Sequence, residues 1–106
     1  MSTPFCLAVI TAPSDKAGAG IAEKIVQSRL AACVNIVPMV QSVYWWKGKR
    51  ERAKEAMLIV KTRKKSFLKL IAFVQKIHPY SVPEIIALPI EAGSPAYLKW
   101  LAAETR

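Results

Sequence analysis

The sequence predicts an α+β domain with the ferredoxin-like order βαββαβ, an extra C-terminal helix and a long hairpin between the second and third strands. Three observations lead to this prediction. The chain has 106 residues, which is the length of one domain. Apolar runs typical of strands alternate with two segments of helical periodicity. Their order matches the split βαβ plan, in which helices cover one face of an antiparallel sheet. We therefore treat residues 1–106 as a single domain.

The first strand and the first helix are predicted within the first thirty residues. The apolar run Phe5–Thr11 is short and ends at a proline-containing turn, as expected for a strand that is buried on both faces. Ser14 or Asp15 can cap the helix that follows, because either side chain can accept a hydrogen bond from a free backbone N–H. Apolar residues at helical spacing extend this helix to about Leu30.

The second and third strands are predicted to form the long hairpin. Val34–Trp46 is rich in β-branched and aromatic residues, and Pro38 within it indicates an edge strand or a bulge. Lys47–Lys49 has the composition of a hairpin turn. Arg50–Thr62 begins with good helix formers, so propensity alone predicts a helix there. We predict a strand instead, because the preceding strand needs a partner and residues 57–60 are continuously apolar.

The last three elements follow from capping and spacing. Ser66 can cap a second helix, whose apolar stripe ends at His78, because a residue that precedes proline avoids the α region. Ile85–Ile90 predicts the fourth strand. Ser94 followed by Pro95 predicts the start of the final helix, since proline is favoured in the first helical turn.

The composition favours an oligomer. Hydrophobic residues make up 53% of the chain, and the mean hydropathy is +0.23, which is high for a small water-soluble domain. The predicted hairpin strands are also longer than the usual strand, so their ends extend past the sheet of their own domain. Tyr44, Trp45 and Trp46 lie near the end of this hairpin. We expect another copy of the chain to cover these three residues.

The charge leaves a second class of function open. Lysine and arginine number 16 and acidic residues 7, which gives a net charge of +9. A basic protein attracts polyanions, although basic residues also serve simply to keep an apolar protein soluble. The strand–helix order is shared with RNA-recognition domains, but the third strand lacks their aromatic residues, so the sequence disfavours nucleic-acid binding. A signalling or scaffold oligomer that binds a polyanion or a small anion near the basic hairpin remains an alternative.

Several other classes are disfavoured. The chain contains no glycine-rich nucleotide loop and no C-x-x-C motif. Its serines lie at predicted caps and turns, so no catalytic triad is indicated and we do not expect an enzyme. The first residues show no cationic signal segment, and the longest uncharged run is interrupted by polar residues and a proline. We expect a cytoplasmic protein without a membrane span.

One residue stands out as a potential metal ligand. His78 is the single histidine of the chain, and it lies at a predicted helix end. It can bond a carbonyl of the last helical turn, or it can bind a metal ion through a ring nitrogen. Glu84 and Cys33 are the further ligands that we consider. In a symmetric oligomer, one histidine per subunit would supply several around an axis.

Short motifs along nearly the whole chain resemble the CutA divalent-cation tolerance family. They appear in the family's order and include T-A-P-S-D from Thr11, R-L-A-A-C-V-N from Arg29, Y-W-W-K-G-K from Tyr44, H-P-Y-S-V-P-E-I from His78, and Y-L-K-W-L from Tyr97.

The resemblance implies a ferredoxin-like subunit in a homotrimer, with hairpins that pack across subunits at Tyr44, Trp45 and Trp46. It also implies a part in tolerance to divalent metals, notably copper, and a protein that is not an enzyme. Some members carry a cysteine where this chain has Ile10 and a histidine where it has Ile77. Only His78 of that ligand set is present. We therefore expect no obligatory cofactor and weak binding of Cu(II) or another divalent cation, because copper leads the divalent affinity order for nitrogen ligands.

Overall fold

Four strands and three helices follow one another in the predicted order. The computed structural model describes residues 2–106. Its elements are β1 (Phe5–Ala12), α1 (Asp15–Gln27), β2 (Cys33–Trp46), β3 (Lys49–Arg63), a 3-10 turn (Lys64–Ser66), α2 (Phe67–Ile77), β4 (Ile85–Pro89) and α3 (Pro95–Glu104). The strands form one antiparallel sheet in the order β2-β3-β1-β4. The α+β class and the ferredoxin-like plan are therefore confirmed.

The main core lies between one face of the sheet and the helices α1 and α2. Every second residue of β1 and β3 points to this face, as the two-residue period of a strand requires. The buried side chains there are Ala8, Ile10, Leu58 and Val60 from the strands and Ile21, Ile25, Leu70 and Val74 from the helices. Gly18 brings α1 close to β3, because a Cβ at this position would lie 3.1 Å from the Cβ of Ala56.

One helix boundary and one helix cap differ from the sequence prediction. α1 ends at Gln27 rather than at Leu30, because Arg29 adopts a left-handed conformation with φ of +66°. Ser14 caps α1 as predicted, with its hydroxyl accepting from the N–H of Ala17 at 3.0 Å. Ser66 does not cap α2: its hydroxyl donates to the carbonyl of Arg106 at 2.7 Å. The Ser66 hydroxyl, which the sequence predicted as the cap of α2, therefore bonds Arg106 instead of the helix.

The hairpin of β2 and β3 extends well beyond the other strands. β1 pairs with β3 only as far as Ala56, so residues 49–55 pair with β2 alone. We call residues 40–55 the arm. Lys47 and Gly48 form its turn with φ of +50° and +78°, as in a type I′ hairpin turn. The strand predicted from Arg50 is confirmed, and pairing with β2 has overridden the helix propensity of its first residues.

A bulge at the base of the arm sets which side chains share a face. The β2–β3 register shifts by one residue between Val37 and Val40, and Met39 has φ of +59°. Pro38 lies inside this bulge on an edge strand, so both structural expectations for that proline are confirmed. After the shift, one face of the arm carries Ser42, Tyr44, Trp46, Glu51 and Glu55 and ends at Lys49 beside the turn, and the opposite face carries Val43, Trp45, Arg50, Arg52 and Lys54.

The second face of the sheet is only partly covered. α3 packs over one end of it, with Leu101 buried and the Arg63 guanidinium donating to the Ala102 carbonyl and the Thr105 hydroxyl. The rest of this face carries the apolar residues Val9, Met57, Ile59, Ile86 and Leu88, with the polar Asn35 and Lys61 beside them. We call it the open sheet face. Among residues 2–106, no helix is long and apolar enough to cross a membrane.

Candidate functional site

A groove of about 750 Å³ lies between the arm and the loop that joins α2 to β4. The arm contributes one wall, the loop of residues 79–84 contributes the other, and Thr11 at the end of β1 lies at the base. The side chains that give the groove its chemical character are Ser42, Tyr44, Trp46, Glu55, Tyr80 and Glu84. These residues come from three separate segments of the chain, which the sheet pairing and the end of α2 bring together.

A buried carboxylate forms part of the groove wall. Glu55 is only 7% exposed, although it lies in the most basic stretch of the sequence. The Tyr80 hydroxyl donates to Glu55 Oε2 at 2.8 Å. Burial raises the pKa of Tyr80 to about 12, and the hydrogen bond and negative charge of Glu55, with a smaller effect of Tyr44, act in the same direction. The tyrosine therefore remains a hydrogen-bond donor to Glu55 at physiological pH.

His78 fixes the start of the loop that carries Tyr80. Its backbone N–H bonds the Val74 carbonyl at 2.8 Å and completes the last turn of α2. Its Nδ1 accepts from the Tyr80 N–H at 3.0 Å, and its Nε2 lies 2.7 Å from the Thr11 carbonyl oxygen. Because Nδ1 accepts a hydrogen bond, Nε2 is the nitrogen that carries the ring hydrogen and donates it to the Thr11 carbonyl. The imidazole thus joins α2, β1 and the loop.

This arrangement bears directly on His78 as a metal ligand. The sequence left open a bond to a carbonyl of the last helical turn, but the ring bonds a carbonyl 67 residues away and an N–H two residues away. Both ring nitrogens are engaged, and the residue is buried. A metal ion therefore has to displace one of these hydrogen bonds before it can bind the imidazole.

The other two candidate ligands lie in different surroundings. Glu84 is exposed at the groove, on the loop that His78 anchors. Cys33 lies at the start of β2, where its Sγ is 3.7 Å from Lys61 Nζ and 4.0 Å from Asn35 Oδ1. Within residues 2–106, no three His, Cys, Asp or Glu side chains are grouped so that one chain could hold a metal ion. The metal assignment of His78, Glu84 and Cys33 stays a prediction.

The three aromatic residues expected at a subunit interface do not share one face. Tyr44 and Trp46 line the groove, whereas the intervening Trp45 points to the opposite face of the arm and is 71% exposed. Sequence reasoning missed Glu55 and Tyr80 as groove residues. The signal for Glu55 was the alternation of acidic and basic residues along 50–55, which shows that one face of the strand differs from the other.

Together the sheet order, the two-helix layer and the projecting arm define a ferredoxin-like α+β protein with an extended hairpin and a lateral acidic–aromatic groove. Residues 6–104 match the family described as CutA1 divalent ion tolerance protein. The chain belongs to this family.

Relatives with assigned names support this membership. The chain is 48% identical over 97 residues to the divalent-cation tolerance protein CutA of Thermus thermophilus, covering 92% of this chain and 94% of the relative. It is 47% identical over 101 residues to a CutA homolog of Xenopus laevis, covering 95% of this chain and 67% of the relative. The crystal structure of CutA1 from Oryza sativa superposes with a TM-score of 0.95 at 46% identity, covering 99% of this chain and 96% of that chain.

Several relatives are longer proteins. The chain spans 59% of an Oryza sativa relative named as chloroplastic and 53% of the Mus musculus relative. The chain therefore corresponds to only part of the length of these relatives.

Proposed function

We propose that this protein acts as a homotrimer in tolerance of divalent metal ions and that it binds divalent cations weakly, with copper(II) the first among them. Family membership supports the link to divalent ions. The role is non-catalytic, which agrees with the structural use of the single histidine. We place this role in the cytoplasm. Fractionation of cells that express the protein tests this compartment, and recovery in another compartment would contradict it.

The arm is the observation that best supports assembly. An isolated two-stranded ribbon is marginally stable in water. The arm consists of only two strands, because residues 49–55 of β3 pair with β2 alone. It also exposes Val43 at 65% and Trp45 at 71%. The open sheet face adds Ile86 and Leu88, which are each about half exposed. A closed ring of identical subunits can cover both surfaces through one repeated contact.

Light scattering behind a sizing column tests the trimer. We expect a mass near three times the 11.7 kDa of one chain. Trp45→Lys should dissociate the trimer, because it removes an aromatic side chain that is 71% exposed on the arm and adds a fourth cation to the face of Arg50, Arg52 and Lys54. Leu68→Lys is the matched control, since Leu68 is 79% exposed on α2, away from the arm. A wild-type mass of one chain, or an intact trimer of the Trp45 variant, would contradict the proposal.

The hydrogen bonds of His78 supply a reason for weak metal binding. A cation that binds either ring nitrogen must first displace Tyr80 N–H or the Thr11 carbonyl, and the loss of one hydrogen bond costs about 0.5–1.5 kcal/mol. Such a loss lowers the affinity by up to about tenfold. We therefore expect a copper dissociation constant that is micromolar or weaker. Binding should be lost in acid, because protons compete for the same nitrogen.

Calorimetric titration with copper tests the ligands one at a time. His78→Gln, Glu84→Gln and Cys33→Ser each remove one candidate donor, and circular dichroism establishes that each variant is folded. We expect the His78 variant to lose most of the binding. Equal affinity in wild type and in the His78 variant would exclude this residue. No binding in wild type would mean that the protein acts in metal tolerance without coordinating copper.

The basic face of the arm favours one second candidate, a trimer that binds a polyanion. Arg50, Arg52 and Lys54 share that face with Trp45, and cations beside an aromatic ring suit a phosphate-bearing chain. Binding of this kind weakens steeply as salt concentration rises, whereas coordination by an imidazole responds mainly to pH. A salt titration with heparin as the probe separates the two candidates.

A further inference from the structure

The charge of the groove is opposite to that of the protein. The chain carries a net charge of +9 and only seven acidic residues, yet Glu55 and Glu84 both line this one groove. Its lining includes no lysine or arginine among residues 2–106. Glu55 is buried, and low-dielectric surroundings strengthen the field of its carboxylate, whereas Glu84 is exposed to solvent. The groove therefore favours a cation and opposes an anion, although the rest of the molecule favours an anion.

Aromatic rings accompany these carboxylates. Tyr44, Trp46 and Tyr80 line the same groove, and aromatic faces attract cations through their quadrupole. Lys47 Nζ lies 5.9 Å from the centroid of the Trp46 ring, so a ligand cation has to compete with this lysine for that ring, whereas no such contact involves Tyr44 or Tyr80 among residues 2–106. Carboxylates combined with aromatic faces are the surroundings that proteins use to bind amines and quaternary ammonium groups.

The size of the groove distinguishes an organic cation from a metal ion. Its volume of about 750 Å³ lies within the range of pockets for small molecules. A divalent metal ion requires several oxygen, nitrogen or sulfur donors around a small space, and residues 2–106 contain no group of three such carboxylate, thiol or imidazole side chains. The structure offers two carboxylates, three rings and room between them.

We propose that this groove binds a small organic cation, an amine or a quaternary ammonium compound, between the aromatic rings of Tyr44, Trp46 and Tyr80 and the carboxylates of Glu55 and Glu84. Tyr80 holds the Glu55 carboxylate in place through its hydroxyl, and His78 holds the Tyr80 backbone. All of these residues belong to one chain, and their contacts with an organic cation involve no metal ion. Binding of the organic cation is therefore independent of the copper coordination proposed above. It does require that the neighbouring subunit leaves the groove open in the proposed trimer.

Choline and 3,3-dimethyl-1-butanol provide the test, because they have nearly the same shape and differ in charge. Each is titrated into the isotope-labelled protein after removal of metal with a chelator. The NMR signals of the Glu55 and Tyr80 amides report on the groove. We expect choline to shift these signals and to bind at least about tenfold more tightly than the neutral alcohol, as a desolvated cation–π contact with a carboxylate predicts.

Variants assign the binding to the groove. Glu55→Gln retains an acceptor for the Tyr80 hydroxyl and removes the charge, so it should weaken choline binding about tenfold. Glu91→Gln removes the same charge outside the groove and should leave binding unchanged. Equal affinity for choline and the neutral alcohol, or no shift of the Glu55 and Tyr80 amide signals with choline, would overturn the proposal. Equal losses of choline affinity in the Glu55 and Glu91 variants would also overturn it. So would amide shifts that calcium chloride causes and choline does not. The mass of the same sample shows independently whether the trimer has formed.

Discussion

Removal of the His78 imidazole should destabilise the protein through two groups that its ring satisfies. In His78→Ala, the Thr11 carbonyl loses its donor and the Tyr80 N–H loses its acceptor. An unsatisfied buried group costs about 1–3 kcal/mol. Thr11 is buried, whereas Tyr80 is only partly buried and its N–H can gain water, so we expect a total loss of about 2–4 kcal/mol. This is a large share of the 5–15 kcal/mol that stabilises a typical domain.

Two further variants separate hydrogen bonding from packing. Asparagine can offer its carbonyl oxygen near the position of Nδ1, and so restores an acceptor for the Tyr80 N–H. Glutamine can reach farther and offers its amide nitrogen to the Thr11 carbonyl. We therefore expect His78→Asn and His78→Gln each to recover part of the stability that His78→Ala loses.

Guanidinium unfolding, followed by circular dichroism at one fixed protein concentration, measures these differences, since the stability of an oligomer depends on concentration. Wild-type stability in the alanine variant would show that the two hydrogen bonds contribute little. Equal, large losses in all three variants would assign the effect to lost ring packing instead. Either result would refute the reasoning from satisfied buried groups.

Two more predictions concern α1 and Tyr80. Gly20→Ala should raise the free energy of unfolding by about 0.5–1 kcal/mol, because alanine favours a helix and a Cβ at this position meets no atom within 4 Å. Gly18→Val should lower the melting temperature, because a Cβ at this position would lie only 3.1 Å from the Cβ of Ala56. A higher melting temperature for the Gly18 variant than for the Gly20 variant would contradict both predictions. A spectrophotometric tyrosine titration should show one step near pH 12 that Tyr80→Phe removes. Since the pKa of Tyr80 is raised in the folded state, its contribution to the free energy of unfolding is complete below about pH 10 and declines as the pH rises toward 12. A stability difference between wild type and Tyr80→Phe that stays constant over this range would contradict the raised pKa.

The order of elements could be predicted because local patterns and pairing rules agreed for most of the chain. The third strand is the instructive case, since residues 50–57 favour a helix by propensity alone. The glycine turn at 48 and the apolar run that follows predicted a strand, and pairing with β2 decides the matter in the structure. Ser66 shows the limit of this reasoning. Its position is that of a cap, but the distant Arg106 carbonyl is its partner.

The groove could be predicted only in part, because its contacts are not local. Glu55 and Tyr80 are 25 residues apart, and His78 and Thr11 are 67 apart. A single sequence gives no measure of which side chains meet over such separations. The sequence did identify four residues of this region. His78 supports the groove wall through its hydrogen bond with Tyr80, and Glu84, Tyr44 and Trp46 line the groove. Their roles in metal binding and assembly stay predictions that the copper titration and the mass measurement test.

The bulge at Pro38 and Met39 has a consequence for how this family can diverge. Two residues of β2 oppose the single residue Ala56 of β3 at this point, between the pairs Val37–Met57 and Val40–Glu55. Deletion of one of the two would restore an uninterrupted ladder and leave Val40 opposite Glu55, so Tyr44 and Trp46 would stay on the side of Glu51 and Glu55. The base of the arm is therefore a position where the family can lose one residue while the same side chains continue to line the groove.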